Sequence, residues 1–146
     1  MTEFSIRDVE ENDLENGFLE TVNHLRSVGN LTIEKAKSIL KKIKNNPDHK
    51  IFVAVNNEGK VVGTTTLLIE PKFIYEGGLA AHLEDVVTHE KFRNKGIATA
   101  LMKKAIEVAK QAGCYKVILD CSEDNCAFYE KLGFKKHEVE MRLTLK

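Results

Sequence analysis

An apolar run, Leu83-Glu-Asp-Val-Val-Thr88, leads into a basic glycine turn, Arg93-Asn-Lys-Gly-Ile-Ala98. The turn opens an amphipathic stretch from Ile97 to Ala112, and a second apolar run, Val117-Ile-Leu119, follows. Strand, turn, helix and strand in that order demand a sheet with a helix laid on its face. The turn itself is built to receive phosphates. Backbone N–H groups at a helix start lack intrahelical partners, and the helix dipole favours an anion there. Gly96 lets the backbone approach closely, while Arg93 and Lys95 add positive charge.

The 146-residue length suits one domain, 1–146, with a sizeable core. Lys+Arg and Asp+Glu are equal at 22 each, so no bulk charge draws the chain to nucleic acid or an anionic membrane. No apolar run nears the ~20 residues that span a bilayer, and Met1-Thr-Glu-Phe-Ser is no signal peptide. A cytoplasmic protein is expected. Cys114, Cys121 and Cys126 form no CxxC pair and read as reduced thiols. His24, His49, His82, His89 and His137 lack metal-ligand spacing, so no metal is expected; His82, at the start of the run that ends at Thr88, reads as a structural residue.

Phe4 to Val9 alternates as a first strand. Leu14, Phe18, Val22 and Leu25 have helical spacing, predicting a helix that ends near Gly29. Thr32 is the N-cap of a second, with Ile33, Ala36, Ile39, Leu40 and Ile43 on one face, stopped by Asn45 to Asp48. Ile51–Val55, the turn Asn56–Gly59 and Lys60–Ile69 read as an antiparallel hairpin. A loop from Glu70 to Gly78 precedes a strand His82–Thr88, the basic turn and a helix closing at Gly113. Val117–Leu119 reads as a buried central strand, Asn125–Leu132 as a short helix stopped by Gly133, and Phe134–Leu145 as a last strand or hairpin-like pair. The order β-α-α-β-β-β-α-β-α-β predicts an α/β (α+β) domain, one mixed sheet with helices on both faces.

That order, with Arg93-Asn-Lys-Gly96-Ile-Ala98 after the fourth strand, resembles the GNAT acetyltransferase superfamily, whose pyrophosphate motif runs Arg/Gln-x-x-Gly-x-Gly/Ala. Asn125-Cys-Ala-Phe-Tyr-Glu-Lys-Leu-Gly-Phe134 resembles its closing segment. Pro71-Lys-Phe-Ile-Tyr75, His82-Leu-Glu-Asp-Val86, Gly113-Cys-Tyr-Lys116, Leu119-Asp-Cys121 and Val139-Glu-Met141 narrow the resemblance to the glucosamine 6-phosphate N-acetyltransferase family. Leu25-Arg-Ser-Val-Gly29 is similar to that family's first-helix end. The resemblance implies transfer of acetyl from acetyl-CoA to the 2-amino group of glucosamine 6-phosphate, by a homodimer, on the route to UDP-N-acetylglucosamine.

It also implies roles. Arg93, Asn94, Lys95, Gly96, Ile97 and Ala98 would cradle the CoA pyrophosphate, and Val86, Val87 and Thr88 would pair with the pantetheine arm. Asn125, Tyr129 and Lys131 would complete the donor site. The plain alternative for the turn is an ordinary strand–turn–helix junction. Tyr129, with ordinary phenol pKa ~10, is the candidate general acid for a CoA thiolate near ~8.5; otherwise it is a core tyrosine. Glu84 would contact substrate and deprotonate the amine through water, the Asp120 carbonyl would orient it, and Asp85 would hold a sugar hydroxyl or organise the loop. For each acid, a structural hydrogen bond is the competing role.

Lys72, Phe73, Ile74 and Tyr75, with Tyr115 and Lys116 from the partner subunit, match the family's sugar-phosphate contacts. The family's C-terminal arginine falls at Thr144 here; Arg142 lies on the same strand face, and Arg26 stands where a small hydroxyl residue is common. These departures motivate a second reading, N-acetylation of an unphosphorylated amino sugar or other small amine. A third, from another class, is a non-catalytic acyl-CoA-binding regulatory domain. Cys121 and Cys126 flank the site, but no Cys/His/Asp constellation accompanies them, and direct transfer in a ternary complex is expected rather than an acetyl-cysteine.

Overall fold

The computed structural model describes residues 3–146. Five strands form one sheet in the order β1 (Phe4–Asp8), β2 (His49–Asn56), β3 (Val61–Pro71), β4 (Leu79–Thr88) and β5 (Cys114–Ile118). The first four run antiparallel to their neighbours, and β5 runs parallel to β4, as a crossover through a helix requires. The sheet is therefore mixed, as the element order predicts.

Helices cover both faces. α1 (Leu19–Asn23) and α2 (Ile33–Lys44) lie on one side, and α3 (Ile97–Gln111) lies on the other, ahead of α4 (Cys126–Glu130). Alternation along the central strands divides the core between them. Val53, Val55 and Val61 pack with Ala36 and Leu40 of α2, whereas Phe52, Ala54 and Val62 pack with Ile97, Leu101, Met102 and Ala105 of α3. Thr32 caps α2 as expected, its hydroxyl accepting from the Lys35 N–H at 3.2 Å. The hairpin turn is held by the Asn56 side-chain oxygen, which accepts from the N–H groups of Glu58 and Lys60.

The structure departs from the sequence expectations in several places. The first helix is broken: a 3-10 turn (Glu11–Asp13) and a π turn (Leu14–Phe18) precede α1, with non-helical backbone at Asn16 and Gly17. A Cβ on Gly17 would collide with the Val61 carbonyl, so the chain bends where it meets β3. Ile39 is 42% exposed and lies off the buried face that Ala36 and Leu40 form. β4 starts at Leu79, three residues before the predicted strand.

β5 is not a central strand. It forms the sheet edge among the described residues, and Ile118 is 40% exposed. The predicted final strand does not form among the described residues: Phe134–Leu145 joins no sheet, though the Phe134 N–H donates to the Tyr129 carbonyl at 3.2 Å and Lys136 pairs with Glu123 at 3.1 Å. Val139, Met141, Leu143 and Leu145 are 84–92% exposed. Their alternation is a strand pattern that lacks a neighbour.

Candidate active site

β4 and β5 part company halfway along. Their pairing runs from Leu79 opposite Cys114 to His82 opposite Ile118 and stops there. From Leu83 to Thr88, β4 still pairs with β3 but has no strand on its other edge among the described residues. A bulge begins this open half: Thr64 faces Val87 and Thr66 faces Glu84, so Asp85 and Val86 oppose Thr65 alone. Asp85 takes φ 50°, a left-handed conformation that Asp tolerates better than most residues. The Thr65 hydroxyl donates to the Glu84 carbonyl at 3.3 Å and fixes the bulge. The backbone groups of Val86 and Thr88, alternating with those of Val87 and His89 that face β3, then point into the gap, open to an amide-bearing ligand.

The basic turn stands at the end of this gap. Gly96, at φ 80°, is the N-cap of α3, and Arg93, Asn94 and Lys95 are exposed. Ile97 is the buried first residue of the helix, so of the predicted cradle it offers only its backbone; Ala98 is half-buried. Fifteen residues of helix point their dipole at the turn. An open pocket of about 410 Å³ lies beside it, lined by Phe92, Lys95 and Ile97 and, across from them, by Phe4, Val62 and the Asn56–Glu58 turn.

A clamp that the sequence did not reveal holds the turn. His89, 2% exposed, receives the Lys91 N–H on Nδ1 at 3.2 Å and so donates from Nε2 to Glu20 at 3.0 Å. The His24 ring packs 4.2 Å from it and Phe92 meets it edge-on. Glu20 also binds Lys60 at 2.8 Å. Lys60 first, then His89, hold the Glu20 carboxyl at a pKa of about 2. The only sequence signal is a histidine directly after the strand, four residues ahead of Arg93.

α4, which follows β5 through the turn Glu123–Asn125, carries Tyr129. Its ring is half-buried against Phe128 and Phe134, and burial, with the neighbouring Cys121 thiol, pushes the phenol above its ordinary pKa. It is a proton donor throughout the neutral range. Asn125 and Lys131, on either side of α4, are exposed. Glu84 lies on β4, two residues past the last pair with β5. Partial burial of its carboxyl, then the charges of Asp85 and Asp120, raise its pKa, while His82 opposes them. Glu84, Asp85 and Asp120 are thus one electrostatic group, as a proton-accepting site requires. Glu140 of the C-terminal segment adds to it.

The residues predicted for the sugar phosphate fall into separate places. Lys72 pairs with Glu70 at 3.0 Å, and Glu70 also receives His82 at 2.9 Å. Phe73, Ile74 and Tyr75 are exposed on a turn, Ile74–Gly77, in which Tyr75 and Glu76 hold positive φ. Such backbone costs about 1–2 kcal/mol per residue and marks a surface held for a purpose. Tyr75 stacks on Tyr115 at 4.4 Å within one chain, the Tyr115 hydroxyl is buried without a partner, and Lys116 sits 5.6 Å above the Tyr115 ring. Arg26 and Arg142 are both exposed and join none of these groups. Among the described residues, no three His, Cys, Asp or Glu side chains come together as metal ligands.

Comparison with known proteins gives the same frame. The pattern of the Acetyltransferase (GNAT) family matches residues 18–134. Glucosamine 6-phosphate N-acetyltransferase of Trypanosoma brucei brucei is 38% identical over 146 residues, covering 99% of this chain and 98% of that protein. The enzyme of the same name from Arabidopsis thaliana is 36% identical over 140 residues, 94% of each. The crystal structure of glucosamine-6-phosphate N-acetyltransferase from Arabidopsis thaliana superposes with a TM-score of 0.95, over 98% of this chain and 99% of that one.

Proposed function

Because the chain belongs to the acetyltransferase (GNAT) family, we propose that it moves the acetyl group of acetyl-CoA to the 2-amino group of glucosamine 6-phosphate. The observation that carries this reading is the gap between β4 and β5, with the helix-capped basic turn at one end and Tyr129 on the helix that follows β5. The pyrophosphate lies on the turn, and pantetheine runs along Val86–Thr88. The thioester is thereby directed between Tyr129 and the Glu84 group.

The amine nitrogen attacks the thioester carbonyl carbon, the C–S bond breaks, and CoA leaves as its thiol with a proton from Tyr129. A sugar amine resembles an α-amino group, pKa ~8, so a useful fraction is neutral near pH 7. Glu84 needs only to accept one proton through water, for which its raised pKa suits it. The Asp120 carbonyl orients the amine. The whole chain, 1–146, acts as one catalytic domain in the cytoplasm; its three cysteines are free thiols, and no described helix is long and apolar enough to cross a membrane.

The working unit is a homodimer. The exposed alternation of Val139, Met141, Leu143 and Leu145, beside a sheet whose β5 edge is open, supports a C-terminal segment that pairs across two copies. Tyr115 and Lys116 then reach the partner's substrate, and the buried, unpaired Tyr115 hydroxyl gains an acceptor. Leu143→Asp, which puts a charge on that apolar face, should yield monomers by light scattering, with glucosamine 6-phosphate binding lost and acetyl-CoA binding kept. A dimer that persists unchanged refutes the arrangement.

Lys72 already pairs with Glu70, which favours a second reading, an unphosphorylated amino sugar as acceptor. Thiol release from acetyl-CoA with glucosamine, its 6-phosphate and a polyamine decides. A kcat/KM without preference for the phosphate overturns the first reading.

A further inference from the structure

Cys121 and Cys126 hold their sulfurs 3.7 Å apart across the 3-10 turn Glu123–Asn125, which joins the end of β5 to α4. Cys126 also lies 3.7 Å from the Ser122 carbonyl and donates to it. Cys121 is exposed and Cys126 half-buried, so both are within reach of a small solute. A disulfide needs about 2.05 Å. The sulfurs must close by roughly 1.7 Å, through rotation about χ1 of the two residues together with a shift of the turn between them.

The pair is placed where its closure matters. Asp120 immediately precedes Cys121, and Tyr129 stands three residues after Cys126, within the five-residue helix that Cys126 opens. A helix so short has little stability of its own. Its position depends on the packing of Tyr129 against Phe128 and Phe134 and on the turn before it. Drawing Cys126 toward Cys121 moves the first residue of that helix and carries the phenol with it.

We propose that Cys121 and Cys126 form a reversible oxidation site, in which a hydroperoxide closes an intramolecular disulfide and takes Tyr129 out of line for acetyl transfer. One thiolate attacks a peroxide oxygen, the O–O bond breaks, and a sulfenic acid and water result once the leaving hydroxide is protonated. The second thiol displaces water from that sulfenic acid and forms the S–S bond. Two sulfurs lose one electron each, and the peroxide takes up both electrons with two protons, giving two waters. A dithiol reductant reverses the change by exchange. Cys114, half-buried at the far end of β5, takes no part.

The inactivation half of this proposal rests on the acetyl-transfer reading, so the test has an independent readout. The full-length reduced protein is treated with hydrogen peroxide, the peroxide is removed, and turnover is followed by loss of thioester absorbance. The intact mass should fall by two hydrogens per chain, and a peptide map should link Cys121 to Cys126. A misplacement of ~1 Å can cost ~100-fold, and a fall of about tenfold or more is expected here, restored by dithiothreitol. Cys126→Ser should keep its turnover and resist peroxide. A linkage to Cys114, to another chain or to CoA overturns the proposal. So does a Cys126→Ser protein inactivated like the parent, or a disulfide formed with turnover intact. An inactive reduced protein counts against the acceptor assignment alone; the disulfide then stands or falls on the map and on a change in tyrosine near-UV circular dichroism.

Discussion

Tyr129→Phe isolates the phenol from everything else the residue does. The ring packs against Phe128 and Phe134, and phenylalanine reproduces that packing. The forces on its ionisation are burial and the Cys121 charge, with no hydrogen bond among them. Removing the hydroxyl therefore orphans no partner, and stability should hold. What is lost is one hydrogen bond to sulfur as it becomes a thiolate.

A hydrogen bond to a charged group contributes about 1.5–3 kcal/mol. At roughly 1.4 kcal/mol per factor of ten, kcat should fall about 10- to 150-fold. The lower end applies if water reaches the half-buried site and replaces the phenol. Acetyl-CoA should bind as before, because the turn at Gly96 and the edge of β4 are untouched. Stopped-flow or steady-state thiol release gives kcat, and calorimetry gives the acetyl-CoA affinity. An unchanged kcat removes Tyr129 from proton transfer. A kcat loss that is matched by lost acetyl-CoA binding makes it a positioning residue instead.

Three further outcomes follow from neighbouring geometry. A Cβ on Gly78 would come 2.8 Å from the Tyr115 ring; Gly78→Ala should cost about 1–3 kcal/mol in urea unfolding and raise KM for the sugar phosphate, not for acetyl-CoA. Asp85 is the second cause of the raised Glu84 pKa, after burial, so Asp85→Asn, which tolerates the same left-handed backbone, should move the acid limb of the kcat/KM profile to lower pH. The Glu20 carboxyl is depressed from 4.5 to about 2 in the folded state, so its share of stability is full above pH 4.5 and is lost as pH falls toward 2. Glu20→Gln should flatten that part of a stability–pH curve measured by denaturant titration, though modestly, since the side chain is 52% exposed.

Much of the sheet was legible because its signals are local. Two apolar, β-branched runs, Ile51–Val55 and Lys60–Ile69, with a glycine-ended polar turn between them, need nothing beyond the hairpin itself. The basic turn was legible for the same reason: glycine, cations and a helix start lie in six consecutive residues. The break in the first helix was not, because it is imposed by contact between Gly17 and Val61, forty-odd residues away. The His89 clamp was hidden likewise, since Glu20 and Lys60 come from distant segments. Motif resemblance could place Glu84 in the site, but only the fold shows that Asp85 and Asp120 raise its pKa.

One strand placed at the edge rather than the centre, and one strand that does not form, have one cause. Val117–Leu119 reads as central and Phe134–Leu145 reads as a strand because both sequences carry the pattern of a sheet that continues past β5. Within one chain it does not continue: β5 is an edge, and four alternating apolar side chains face water. A monomeric protein rarely leaves such a surface open. The proposed homodimer would cover that surface, and the same step would account for the scattered residues expected to hold the sugar phosphate. Tyr115 and Lys116 lie on the open edge, Arg142 lies on the unpaired segment, and Lys72 is held by Glu70. The residues expected to hold the donor sit on elements complete in one chain, whereas three of those expected to hold the acceptor sit where the sheet is unfinished. Acetyl-CoA binding should thus survive in a monomer and sugar-phosphate recognition should not.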